Sequence, residues 1–189
     1  MDKGGMGAIP LRMLISLVVG AGIVAVVFVG LRGALHTAAE KQVERECHEI
    51  LSSLSTMVAS GDARWASNPE MARGDTRSME ITMPDELVFL GFGIDPDPDN
   101  DGVLSSGLTA NGSCIFFKTE GRGKRAIWDT GGVRFREGTQ ENGRWAVHEP
   151  QQGYIIRGGG TYHLTFELVA DYDGTTYVLI WAQDKIAPT

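Results

Sequence analysis

Cysteine is almost missing from this sequence: Cys47 and Cys114 are the only two among 189 residues. A small scaffold held by several disulfides is thereby excluded, and only one pairing is conceivable. Histidine is sparse as well. His36, His48, His148 and His163 show no metal spacing such as H-E-x-x-H, and His148 and His163 read as surface residues. The chain has no nucleophile elbow, no P-loop and no dinucleotide fingerprint. Gly158-Gly159-Gly160 falls between strand-like segments, with no helix to direct at a phosphate. No catalytic constellation stands out, so the expectation is a non-enzyme with no small-molecule substrate. A basic excess is also lacking. Net charge is −7; Asp2, Lys3 and Arg12 give the first 31 residues +1, which leaves −8 for residues 32–189. Nucleic acid and anionic lipid surfaces both require a basic face, so neither is an expected partner of that acidic part. The one basic cluster, Arg122, Lys124 and Arg125 among glycines, reads as a solvated hairpin tip. Internal repeats and low-complexity tracts are absent.

What is present begins with an apolar run. Met13–Leu31 carries no charge and almost no polar side chain. A bilayer core takes about 20 apolar residues as a helix, and a buried core helix would show a polar face that this segment lacks. A cleavable secretory signal would have a shorter apolar core and an early cleavage site. Here helix-compatible sequence continues without turn chemistry, so a retained span is expected, with the lipid bilayer as partner. Ala21 and Ala25, and Gly30 and Ala34, stand four apart, a spacing that lets helix backbones approach.

From Arg32 to about Ser60 the sequence has no proline, and Val43, Cys47, Ile50, Leu51, Leu54, Met57 and Val58 fall on one helical face. Glu40, Lys41, Glu44, Arg45 and Glu49 fall opposite, and Gly61 supplies a stop. Two covers for the apolar stripe are open: the following β domain, or a parallel coiled coil between copies. Residues 61–78 read as a polar loop. Strand signals then dominate, at 79–83, 86–92, 113–118, 124–129, 133–136, 144–148, 153–157, 161–171 and 175–183, separated by Gly, Asn or Asp clusters. Tyr162, Leu164, Phe166, Leu168 and Ala170 alternate with polar residues as in a half-buried strand, and Asp173-Gly174 reads as the following hairpin turn. The expected fold class is α+β: one long N-terminal helix, membrane-spanning over 13–31 and amphipathic over 32–60, packed on an antiparallel sheet or small sandwich spanning 79–185.

The segment MDKGGMGAIPLRMLISLVVGAGIVAV resembles the class III signal of archaeal type IV pilins and archaellins, in which a short charged leader ends in Lys/Arg-Gly directly before a hydrophobic helix. The resemblance covers about the first 60 residues. It implies processing after Lys3-Gly4, with Gly5 as the mature N-terminus and Gly7-Ala8 as a second cut. It also implies a cytoplasmic residue 1–12 segment, an extracytoplasmic C-terminal domain, and other pilin-like subunits as partners through the helix. Pro10 suits a first helical turn, and Arg12 can snorkel to the inner interface.

Three further motifs remain. Asp95, Asp97, Asp99 and Asp101, followed by Gly102, match the first half of a calcium loop. Leu108 stands where an EF-hand needs Glu, so a looser Asp-rich calcium loop or a metal-free acidic turn is expected. Asn111-Gly112-Ser113 is an N-glycosylation acceptor triplet. Cys47 reads either as a small buried hydrophobe or as half of a disulfide with Cys114, which would require an oxidising compartment. The functional expectation is a pilin-like surface protein, structural or accessory. The alternative is a monomeric anchored module that binds carbohydrate or another surface component; a membrane-bound hydrolase ranks below both.

Overall fold

The structure, a computed structural model, describes residues 8–68, 70–105, 107–141 and 144–186, with side chains described between 11 and 182. It contains one α-helix, α1 (Ala8–Ser60), and ten strands: β1 (Arg64–Trp65), β2 (Thr76–Met83), β3 (Leu87–Phe92), β4 (Cys114–Thr119), β5 (Arg125–Trp128), β6 (Phe135–Glu141), β7 (Arg144–Val147), β8 (Tyr154–Arg157), β9 (Gly160–Ala170) and β10 (Thr176–Ile186). The chain divides into two compact units, one ending at Ala38 and the other beginning at Ala39.

In the first unit α1 is apolar on every side, and Leu11, Leu17, Val24, Val26 and Val29 are among its exposed residues. This is the one helix among the described residues long and apolar enough to cross a membrane, and none of its most apolar window is buried. Its glycines would weaken a helix in water by about 1 kcal/mol each. In lipid the backbone must satisfy its hydrogen bonds internally, and a helix is the single-segment way to do so.

The second unit starts where the amphipathic stripe starts. Val43, Cys47, Ile50, Leu51, Leu54 and Met57 are buried, on the face that their spacing gives. Burying each aliphatic side chain contributes roughly 1.5–3 kcal/mol, so this half of α1 is core rather than appendage. The helix ends at Ser60, and the Gly61 N–H donates to the Met57 carbonyl at 2.8 Å. The β domain is the cover for the stripe; the coiled coil between copies is not needed to bury it.

The strands form two sheets. One runs β1-β9-β10-β6-β7, with β2 also paired to β9; the other runs β5-β4-β3-β8. The second sheet is antiparallel throughout. The first is mixed, because β1 runs parallel to β9 and β10 parallel to β6. The expected α+β fold is present, and within its first sheet two parallel pairs join the antiparallel ones. The parallel β6–β10 pair arises because β7 and the β8–β9 stretch intervene between them in the chain. Ile81, Leu164, Phe166, Val178 and Ile180 of the first sheet meet Leu90, Phe92, Ile115, Phe117 and Ile156 of the second, together with the α1 stripe, in one core.

β9 departs from simple alternation. Tyr162, Leu164, Phe166 and Leu168 face the core as expected, but Thr165 and Glu167 are buried too. Their face is covered by the segment 61–75 and the β6–β7 hairpin. Glu167 receives the Arg64 Nε–H at 2.7 Å and the Gly74 N–H at 3.1 Å. On the same side a smaller cluster forms from Val169, Tyr177, Leu179 and Trp181, with Trp145 stacked on Trp181 at 4.7 Å between ring centroids. The polar loop 61–78 thus contains a strand, β1, that propensity does not mark. The Asp173-Gly174 turn is formed as read: Gly174 has φ +80°, and its N–H reaches the Asp171 carbonyl at 3.0 Å.

Candidate functional site

Lys3, Gly4 and Gly5, the residues of the expected processing site, lie outside the described residues. The other motif residues are placed, and several are occupied by contacts that spacing does not reveal.

The Asp-rich loop folds around an ammonium group. Lys124 Nζ sits 2.7 Å and 2.9 Å from the two carboxylate oxygens of Asp95 and also donates to the Asp97 carbonyl. Lys118 Nζ lies 3.7 Å from the Asp97 carboxylate, whose other oxygen accepts the Gly102 N–H at 3.2 Å. Asp99 and Asp101 are exposed, and Asp101 is used locally, accepting the Val103 N–H at 2.8 Å. Among the described residues no group of three or more His, Cys, Asp or Glu side chains forms a metal-ligand set. The four aspartates are not gathered around one point, and the cation beside Asp95 is a lysine from the β4–β5 turn. Glu40 behaves similarly. It is buried rather than solvated, with Arg125 Nε at 2.5 Å and Arg122 Nε at 3.8 Å. The basic cluster thus lies on a partly exposed turn, and its three cations also pair with Glu40 and Asp95.

Cys47 and Cys114 are both free, and the expected disulfide is absent. Cys47 belongs to the α1 stripe inside the main core. Cys114, at the start of β4, donates its S–H to the Thr109 carbonyl at 3.5 Å. Burial pushes both thiols up to about 12; Glu46 and Glu44 add to the shift at Cys47, and Asp95 at Cys114.

Asn111 is exposed on a one-turn 3-10 segment in a left-handed conformation, φ +55°. Its side-chain oxygen accepts from Arg136 Nη2 at 2.8 Å, and its backbone carbonyl from Nη1 at 3.0 Å. Gly112, φ +85°, has no room for a side chain, because a Cβ there would run into the Arg136 guanidinium. Arg136 is buried and stands 4.4 Å over the Tyr177 ring, and its Nε–H reaches the Gln151 side-chain Oε1 at 2.7 Å.

Gln151 and Tyr177 also border a cleft of about 340 Å³ that no motif announced. Ser67, Glu141, Glu149, Asp171 and Tyr172 complete its polar lining. A neighbouring hollow shares Ser67 and Tyr172 and adds Trp65 and Asn68. Trp65 is 45% exposed and Tyr172 80%. Two signals pointed here in the sequence: a tryptophan inside a polar loop and a tyrosine within a hairpin turn, neither of which packing requires.

Taken together, the architecture defines a class: an α+β protein in which one long helix, apolar over its first half, continues into a two-sheet β domain. Compared with family models, curated proteins and solved structures, the chain matches none.

Proposed function

We propose that the chain is a pilin-like, membrane-anchored surface protein, a structural or accessory subunit of a type IV pilus-like assembly, with its β domain on the extracytoplasmic side. The observation that carries this reading is the unbroken helix Ala8–Ser60, apolar and unburied in its first half and core-forming in its second. Such a helix can sit in a bilayer or pack against copies of itself, while its other half belongs to the core of the β domain. The Lys3-Gly4 dipeptide ahead of the helix supports the same reading. The role is structural and not enzymatic. Arg12 is the residue that a filament must accommodate, since a charge packed among apolar helices needs a partner.

Mass spectrometry of the native product tests the reading. Processing by a prepilin-type peptidase gives a chain starting at Gly5 or Ala8; an intact Met1 or Asp2 start overturns it. Shear fractions should contain filaments that disappear on Ala25→Leu. A protein recovered as detergent-solubilised monomer under all conditions supports instead the anchored binding module, which the cleft beside Tyr172 favours.

A further inference from the structure

Neither anchoring nor assembly gives the triplet Asn111-Gly112-Ser113 a use. We propose that Asn111 carries an N-linked glycan, added on the extracytoplasmic side of the membrane. The inference rests on the extracytoplasmic placement of the β domain and is independent of whether the chain assembles into filaments.

Presentation of the acceptor is the first argument. Asn111 stands just before β4, and both it and Ala110 are exposed, with φ of +55° and +48°. The two ends of a side-chain amide are hard to tell apart, but here a guanidinium settles which is which. Arg136 can only donate, so the atom 2.8 Å from its Nη2 is the Asn111 oxygen, Oδ1. The amide nitrogen Nδ2 is the other branch of the same planar group, and it has no partner among the described residues. Arg136 holds the Asn111 backbone as well, through Nη1 on its carbonyl at 3.0 Å. The turn is thus fixed by its oxygens and offers its nitrogen.

The choice of residues is the second argument. Asparagine at 111 has a structural reason, because it tolerates positive φ and receives Arg136. Glycine at 112 has one too, since the guanidinium stands where a Cβ would be. The hydroxyl of Ser113 has none. Its backbone N–H donates to the Ala110 carbonyl at 3.2 Å and its carbonyl accepts the Asp129 N–H at 3.1 Å, contacts that any residue would make. Its Oγ meets no partner among the described residues, so alanine would serve the fold as well. A hydroxyl two positions after asparagine, with no proline between, is the pattern that N-glycosylation reads. Asn68, Asn100 and Asn142 lack it.

In the transfer, Nδ2 bonds to the anomeric carbon of a saccharide borne on a polyprenyl phosphate or diphosphate. The bond from that carbon to the phosphate oxygen breaks, the phosphate keeps the electron pair, and the amide gives up one proton. The donor is lipid-linked and so lies in the membrane that the anchor crosses.

Mass spectrometry of the peptide containing Asn111, from protein purified out of its native membrane, tests this. A saccharide mass localised to Asn111 is expected on most copies. Ser113→Ala should abolish it and Ser113→Thr should retain it. Ser113→Ala removes no described side-chain hydrogen bond, so the variant should fold like the parent, which circular dichroism verifies. An unmodified Asn111 in the membrane-derived protein overturns the proposal, as does a saccharide mass at Asn111 that survives Ser113→Ala. The same spectra separate this inference from the functional reading. Unmodified Asn111 on a chain starting at Gly5 or Ala8 removes the glycan and leaves the pilin-like reading standing. A glycosylated chain with an intact Met1 or Asp2 start keeps the glycan and overturns processing.

Discussion

At the scale of single residues, the buried polar groups carry the most information. Arg64 and Glu167 are both almost fully buried and meet at 2.7 Å, with the remaining guanidinium contacts going to the Trp65 and Trp145 carbonyls. Desolvating two charges costs nearly what their attraction returns, but removing one partner strands the other. Arg64→Met is therefore expected to lower the unfolding free energy by about 3–5 kcal/mol, read by denaturant titration of the solubilised chain. The thiols give a pH dependence of definite sign. Cys47 and Cys114 are raised from the ordinary thiol value of 9.0 to about 12 by burial, so the folded state holds protons that the unfolded state has released. Their contribution to stability is complete below pH 9 and is lost as pH rises towards 12. Melting midpoints should fall across that window, and substituting Cys47 and Cys114 by Ala should flatten the fall. These contacts were not legible in the sequence. Which lysine reaches Asp95, or which arginine reaches Glu40, depends on how α1 and the connections of the second sheet pack, between positions 29 to 85 residues apart, and spacing along the chain records none of it.

At the scale of elements, legibility follows periodicity. The stripe from Val43 to Met57 was readable because 3.6-residue spacing survives in a helix buried on one face. The apolar run before it was readable by composition alone. Most strands were found within a few residues, β9 and β10 best, because alternation and a Gly turn fix them. β1 was missed: two residues have no period, and Arg64 is a charged residue held in a strand by Glu167. The end of β6 was missed for a similar reason, since Glu137–Glu141 alternates polar with polar. The helix gives a further expected outcome. Leu54→Ala removes a fully buried side chain from the common core and should cost about 2–5 kcal/mol. Val24→Ala, on the exposed apolar half, should leave the unfolding of the β domain unchanged by the same measurement.

At the scale of the whole molecule, the two units separate at Ala38–Ala39, inside a continuous helix. The second unit holds both apolar clusters, both sheets and every ion pair described above. A chain beginning at Ala39 is thus expected to fold in water as a cooperative unit with the melting midpoint of the full chain, while the full chain requires detergent. Loss of cooperativity in the shorter chain, read by calorimetry, would mean that the apolar half contributes to the fold. Fold class was legible at this scale because one apolar run, one amphipathic stripe and a series of short strands leave few arrangements. The cleft was not, since its lining comes from three strands, β6, β7 and β10, and three separate connections between strands.

The ammonium enclosed by the Asp-rich loop has a practical consequence for finding out which side of a membrane the domain occupies. Topology is commonly read by tagging accessible amines or thiols from one side. This chain has five lysines and two cysteines. Both thiols are buried, so maleimide reagents will report nothing from the folded protein. Lys124 is enclosed between Asp95 and Asp97, and acylating it would abolish the charge that holds the loop together. Among the three lysines whose side chains are described, Lys41, with two thirds of its side chain exposed, is the amine that a succinimidyl tag should reach first. A weak signal with such reagents will therefore reflect how few handles the fold presents, and an introduced cysteine at an exposed site such as Tyr172 is the sounder reporter.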